Sequence, residues 1–308
     1  MSRYFSFLLV ALLALSLVAC GDDDEDDTTS GTNASDKAEQ ITVVATTSQI
    51  GALVQAVAGD QVELHTLMGP GVNAHDYEVT PDDIRVMSDA NLILRNGIGL
   101  DDFLDDSIEA AGGSANVITV TDGINLIEGD EGEYDPHVWH DPGNAKMMVD
   151  NIAAALSTVD DARAETYQEN ADAYNTVLDE TDAEIQAMID EIPQENRKLV
   201  TNHDAFGYFI QAYDLEFVGA VIPSTSTGAE PSAQEIAELS ELIERDDLQA
   251  IFAESSVDPR IAEQLASDTG VEIVYGLYSD SLGEPGSDAE TVHGMLLANA
   301  TKISEALK

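Results

Sequence analysis

Near the middle of the chain the stretch AETYQENADAYNTVLDETDAEIQAMIDEI, residues 164–192, runs without a glycine or proline. Its apolar residues fall at 167, 171, 174, 178, 185, 188, 189 and 192, the three-and-four spacing of a helix with one buried stripe. At about 1.5 Å per residue such a helix reaches roughly 44 Å, enough to run along two folded bodies. A single stiff rod in this place predicts bodies that rock slightly instead of closing like a hinged jaw.

Both flanks alternate short β-rich runs with amphipathic stretches. In the first, ITVVATT (41–47), VELHTLM (62–68), NLILRNG (91–97) and ANVITVT (115–121) read as strands. Helices are predicted through QIGALVQAVAG and TPDDIRVMSDA, the second opened by Thr80 as N-cap with Pro81 at the first helical position. The rhythm restarts near residue 198. There KLVTNH, EFVGAVI, LQAIFAES and VEIVYGLYS are strands, with helices that include SAQEIAELSELIERDD and DPRIAEQLASDTG. Alternation of this kind builds a mostly parallel sheet. The sequence therefore predicts an α/β protein of two lobes, 41–163 and 193–308. Each is a mostly parallel sheet flanked by helices, and the single long helix 164–192 joins them. No strict sequence repeat relates the two.

The chain opens MSRYFSFLLVALLALSLVAC. One positive charge, Arg3, precedes an apolar run from Phe5 to Ala19, too short to span a bilayer comfortably and laid out like a secretory signal peptide. Leu17, Val18, Ala19 and Cys20 resemble the lipobox of bacterial lipoproteins, where the peptide is cut before the cysteine and the thiol carries diacylglycerol. Residues 1–19 are thus expected to be a signal peptide and Cys20 the lipid attachment site. Gly21 to Gln40 is acidic, rich in Ser, Thr and Gly, and nearly devoid of large apolar residues, so 20–40 reads as a lipidated cysteine with a flexible tether. Cys20 is the only cysteine, which leaves no thiol for a disulfide or a metal ligand.

Sixty acidic residues face 12 basic ones. Eight of the acids and two of the bases lie within residues 1–40, leaving 52 against 10 in the folded part. Such a surface excludes nucleic acid as a partner. The acids are spread out, and no Asp-x-Asp-x-Asp-Gly loop marks a calcium site. They read instead as a solvated, halophile-like coat whose self-repulsion is screened by high salt.

Chemistry rests on the histidines. In open α/β sheets ligands bind at the carboxyl ends of the strands. His75 lies in the loop after VELHTLM, His137 follows the fourth strand of the first lobe, His203 ends KLVTNH, and Asp280 ends VEIVYGLYS. Two candidate ligands per lobe put one cation in the cleft between them. Neutral imidazoles with one carboxylate suit Zn²⁺ or Mn²⁺ and are poor for Ca²⁺ or Mg²⁺. Spacing alone leaves open that these are unrelated surface or core residues. Glu254 also ends a strand, as either an acceptor that orients a histidine or a simple strand-end carboxylate. His140, three residues past His137, reads as part of a packed loop with Trp139, Asp141 and Pro142. His65 and His293 read as structural or exposed, and Ser224, Thr225 and Ser226 as a polar patch by the cleft.

Four stretches, in order, resemble the metal-binding substrate-binding proteins of ABC importers, the class whose lobes are joined by one long helix. They are NAHDYEVTPDDIRVMSDANLILRNGIGLDDF, DPHVWHDPGNAKMMVDNIAAAL, TNHDAFGYFIQAYDL with VIPSTSTGAEPSAQEI, and YGLYSDSLGEPGSDAETVHGML. The resemblance extends over 41–308 and implies His75, His137, His203 and Asp280 as the ligands. It also implies an extracytoplasmic lipoprotein, a monomer anchored to the membrane, that hands one divalent metal to a permease. Family members with histidine at the position of His203 lean toward zinc, and those with glutamate toward manganese. GINLIEGDEGEYDPH lacks the long His-rich loop of many zinc-specific relatives, which counts against zinc, but a nitrogen ligand at His203 and the Irving–Williams order outweigh it, so zinc is expected first and manganese second. The competing readings are a zinc-dependent hydrolase and a surface adhesin. A catalytic zinc keeps an open position that four protein ligands do not leave, and no His-Glu-x-x-His pair, nucleophile elbow or repeat array is present.

Overall fold

The structure, a computed structural model, describes residues 40–129 and 133–308. The expected signal peptide, Cys20 and nearly all of the tether lie outside the described residues. Two four-stranded sheets, every pairing parallel, make up the frame. The first contains β1 (Ile41–Thr47), β2 (Val62–Met68), β3 (Leu92–Arg95) and β4 (Asn116–Thr119) in the order β2-β1-β3-β4. The second contains β5 (Lys198–His203), β6 (Glu216–Ile222), β7 (Ala250–Glu254) and β8 (Glu272–Leu277) in the order β6-β5-β7-β8. The orders are identical. A duplication of architecture is therefore present where no repeat is visible in the sequence.

Helices cross between the strands because parallel neighbours cannot be joined by a hairpin. In the first lobe these are α1 (Ser48–Ala58), α2 (Pro81–Asp89) and α3 (Asp105–Ala111). Thr47 caps α1 by accepting from Ile50 N–H at 3.3 Å, and Thr80 and Asp83 form a reciprocal capping box on α2 with Pro81 inside it. Gly51 is fixed by packing, since a Cβ there would stand 2.4 Å from Thr66 Oγ1 on β2. α4 (Pro142–Val159) precedes the long helix α5 (Ala164–Asp190), and α6 (Gly207–Ala212), α7 (Ala233–Arg245), α8 (Arg260–Thr269) and α9 (Val292–Leu307) follow. α5 has 27 residues and leaves helical hydrogen bonding just short of Pro193, because the position before a proline disfavours the helical region.

Side chains alternate across each sheet. Val43, Ala45, Leu92 and Leu94 face inward with Leu199, Phe252 and Leu277 of the second sheet, and Tyr167, Ala171, Leu178, Ile185 and Ile189 of α5 join them in one continuous core. Val44 and Ile93 point the other way onto Val86 and Met87 of α2. Val200 and Ile251 do the same onto Leu239 and Ile243 of α7 and Leu265 of α8. The buried stripe of α5 is the one its sequence spacing predicts, and it packs against α4, α9 and α1. Residues Glu39–Lys308 form one compact unit.

Candidate metal centre

In both sheets the chain runs first to one side of the opening strand and then to the other, so the topology reverses between β1 and β3 and between β5 and β7. Crevices open at such points, at the carboxyl ends of the strands. His203 is the last residue of β5 and Glu254 the last of β7, which places both at the second crevice. At the first, Asn96 follows β3 and donates through Nδ2 to the Pro136 carbonyl at 3.1 Å, fixing the residue before His137. His137 follows β4, as the sequence predicts, but at a distance. Segment 120–136 separates them, and His137 precedes a single 3-10 turn, Val138–His140. His75 lies in another such turn, Ala74–Asp76, whose N-cap Asn73 accepts from His75 N–H at 2.9 Å.

These loops bring four side chains to one point. One donor atom from each of His75, His137, His203 and Asp280 lies within 4.8 Å of all the others. Nε2 of His75 is 3.4 Å from Nε2 of His137 and 3.7 Å from Asp280 Oδ1. Nε2 of His137 is 3.1 Å from Asp280 Oδ1, and Nε2 of His203 is 3.6 Å from Asp280 Oδ2. Tetrahedral zinc with bonds of 2.0–2.1 Å would set its donors about 3.3–3.4 Å apart, and these four separations lie close to that. His137, His203 and Asp280 have fully buried side chains, while His75 keeps 9% of its side chain exposed. No N–H or O–H is aligned to donate to either Asp280 oxygen, and no lysine or arginine among the described residues pairs with it. A carboxylate buried in this way needs positive charge beside it, which protonated His137 and His203 supply in the metal-free site and a metal ion would supply in their place.

Behind the donors stand further carboxylates. Asp135 Oδ1 lies 2.7 Å from His137 Nδ1 and also accepts from His137 N–H at 2.9 Å. Glu254 Oε2 lies 2.6 Å from His203 Nδ1, and Oε1 accepts from His203 N–H at 2.8 Å. The Ser279 hydroxyl donates to the same Glu254. With a carboxylate beside Nδ1, each imidazole turns Nε2 toward the centre. Glu254 thus stands where an orienting acceptor is expected. Asp135 was not read from the sequence, although a carboxylate two residues before a histidine in Asp-Pro-His is a usable signal.

Burial opposes protonation of all three histidines. At His137 the carboxylates of Asp135 and Asp280 overcome it and raise the group to about 9, and Glu254 and Asp280 hold His203 well above the usual imidazole range. Burial pushes His75 down to about 4, against the pull of Asp280 and with the repulsion of the other two rings. Burial of Asp280 is outweighed by His203 and His137, which hold its carboxyl well below the usual range.

His140 stands apart from the four, with its ring centroid 4.6 Å from that of Phe206, and burial together with nearby His137 lowers it to about 3. His65 lies on β2 with Nε2 3.3 Å from Glu63, and His293 lies in the first turn of α9 with Nδ1 3.1 Å from the Tyr174 hydroxyl. Ser224, Thr225 and Ser226 line a cavity with Glu133, Glu230 and Glu235.

Comparison with known proteins agrees with this architecture. The family model described as zinc-uptake complex component A, periplasmic, matches residues 43–306. The manganese ABC transporter substrate-binding lipoprotein PsaA of Streptococcus pneumoniae is 32% identical over 317 residues, covering 100% of this chain and 99% of that protein. The iron ABC transporter substrate-binding lipoprotein MtsA of Streptococcus pyogenes is 33% identical over 318 residues, with the same coverage. Among solved structures, the periplasmic zinc binding protein TroA from Treponema pallidum superposes with a TM-score of 0.83 at 34% identity, covering 87% of this chain and 99% of that one. Sequence and fold agree over both lobes, and the chain belongs to the family of zinc-uptake component A proteins, solute-binding components of ABC importers and not enzymes.

Proposed function

We propose that the protein is a lipid-anchored extracytoplasmic receptor that captures one divalent transition metal ion between His75, His137, His203 and Asp280 and delivers it to an ABC permease. The observation that carries this reading is the convergence of three Nε2 atoms on a buried carboxylate that no lysine or arginine among the described residues pairs with. The lobes in this reading are 41–163 and 193–308 with 164–192 between them, the working form is a monomer, and Cys20 bears the lipid. Several acyl chains are needed for stable attachment, because one alone binds only marginally. Cys20→Ser should therefore yield protein that no longer fractionates with membranes, and a variant still found there would refute the anchor.

We further propose zinc ahead of manganese. The relatives are named for manganese, iron and zinc, so the choice rests on the donor set. Three nitrogens and one oxygen favour zinc, and the Irving–Williams order places zinc well above manganese. Zinc should bind at least about tenfold more tightly, about 1.4 kcal/mol, with manganese still able to enter. Metal content of protein purified without an affinity tag, followed by competition calorimetry on metal-free protein, tests this. Manganese binding as tightly as zinc overturns it. His203→Glu should narrow the gap between the two metals.

A further inference from the structure

Asp280 follows β8 of the second sheet, yet the hydrogen bonds of its loop run mostly to the first lobe. The Ser279 carbonyl accepts from Gln49 Nε2 at 3.1 Å and from the indole Nε1 of Trp139 at 3.0 Å. Ser281 Oγ accepts from Gly71 N–H at 2.5 Å, and Leu282 N–H donates to Ser48 Oγ at 3.0 Å. Ser48 and Gln49 open α1, Gly71 follows β2, and Trp139 stands two residues past His137. Toward the second lobe the same segment has the Ser279 hydroxyl on Glu254. Just before it, Asn299 of α9 clamps both backbone groups of Tyr278, which places the change of mooring between Tyr278 and Ser279. Ser48, Gln49, Trp139, Ser279 and Ser281 are all buried, so water does not compete for these bonds. His203 is the opposite case, a β5 residue held from behind by Glu254 of β7. Three other links cross between the lobes nearby: Asn73 Nδ2 to Thr227 Oγ1 at 2.9 Å, the Tyr208 hydroxyl to the Asp135 carbonyl at 3.0 Å, and Ile127 N–H to the Tyr208 hydroxyl at 3.2 Å. None of them touches the Asp280 loop.

From this mooring we propose that Asp280 acts as a first-lobe ligand, so that the site divides three against one and cargo is gripped and released across the His203 contact. Sequence position would divide the ligands two and two. The hydrogen bonds instead keep His75, His137 and Asp280 on one body as a half-site that persists when the lobes part, with Ser48, Gln49 and Trp139 as its positioning residues. His203, backed by Glu254, is the only donor that leaves. This inference rests on the metal-capture reading above.

The test compares ligand variants by what zinc does to the distance between lobes. Nitroxides on Glu109→Cys and Glu244→Cys, both exposed, in Cys20→Ser protein give that distance by double electron–electron resonance. With the four ligands intact, zinc should shift the distance relative to metal-free protein. Asp280→Ala should keep a zinc-dependent shift, because metal still spans from His75 and His137 to His203. His203→Ala should bind zinc by calorimetry with no shift. His203→Gln and Asp280→Asn, which preserve volume, stand in if the alanine variants fail to fold. A shift that survives in the His203 variant and vanishes in the Asp280 variant overturns the proposal, as does zinc binding with no shift in the parent. A parent that takes up no zinc defeats the metal-capture reading itself, which calorimetry recognises before any distance is measured. Trp139, the only tryptophan, provides an independent readout in the unlabelled chain. Its emission maximum should hold its position when zinc is removed by chelation, and a red shift would show the Asp280 loop leaving the first lobe.

Discussion

Each buried imidazole beside its own carboxylate makes proton and metal compete for the same atoms. With His137 raised to about 9 by Asp135 and Asp280, the metal-free site holds a proton at pH 7 that an arriving cation must displace. The sign follows directly. Lowering pH below about 9 adds protons to the free site and weakens binding, by up to tenfold per pH unit for each proton released, and raising pH toward 9 strengthens it. An isolated imidazole would place this fall near 6.5. Zinc titrations at pH 7 in buffers of different ionisation heat should show release of at least one proton, and binding without release would contradict the assignment. Asp135→Asn removes the charge that holds the proton and orients the ring. It should cost about 10–100-fold in zinc affinity and reduce the protons released, measured in the same titrations. Position in the loops after strand ends pointed to the four converging residues, although only His203 is itself a strand's last residue. Asp135, Gln49 and Trp139 were not legible, since their partners come from the path of loops that no periodicity records.

At the scale of elements, α5 does more than connect. Its stripe of Tyr167, Ala171, Leu178, Ile185 and Ile189 is packed into a core that also takes in the inner faces of both sheets. Truncating a fully buried Ile or Leu to Ala costs about 2–5 kcal/mol, from lost transfer energy plus the cavity left behind. Ile185→Ala should therefore lower stability in urea by about that amount. Because the core is continuous, it should do so in one cooperative transition followed equally by circular dichroism and by Trp139. Two separated transitions would show lobes that fold independently of the helix. The strands and helices were readable from period, caps and β-branched runs, and α5 from its spacing. The shared strand order was not, because pairing depends on which crossover lies on which side, and side chains record only inward or outward. Asp141 and Pro142, which read as part of a packed loop, are instead the N-cap and first residue of α4.

Over the whole molecule, charge sets two electrostatic effects against each other. Beyond residue 40 there are 52 acids and 10 bases, and most of those bases are already paired, among them Arg85 with Asp82, Arg260 with Asp258 and Lys308 with Glu191. Salt weakens such exposed pairs, but each is worth about 0–1 kcal/mol, and they are few. The uncompensated acids repel one another across the same surface, and their repulsion acts over about 10 Å at 0.1 M ionic strength and about 3 Å at 1 M. Screening therefore relieves more repulsion than it removes attraction. The thermal midpoint of metal-free protein should rise between dilute buffer and molar KCl, a salt chosen because potassium and chloride are not strongly excluded from surfaces as sulfate is. Chelator must be present throughout, since a bound ion would stabilise the folded state by mass action and hide the effect. The buried centre offers an internal contrast, because pairs of fully buried groups are screened far less than exposed ones. Salt should accordingly move the melting midpoint while leaving zinc affinity at constant pH changed by much less. A midpoint that stays level, or an affinity that falls steeply with KCl, would mean that the acidic coat is incidental or that the site is open to solvent.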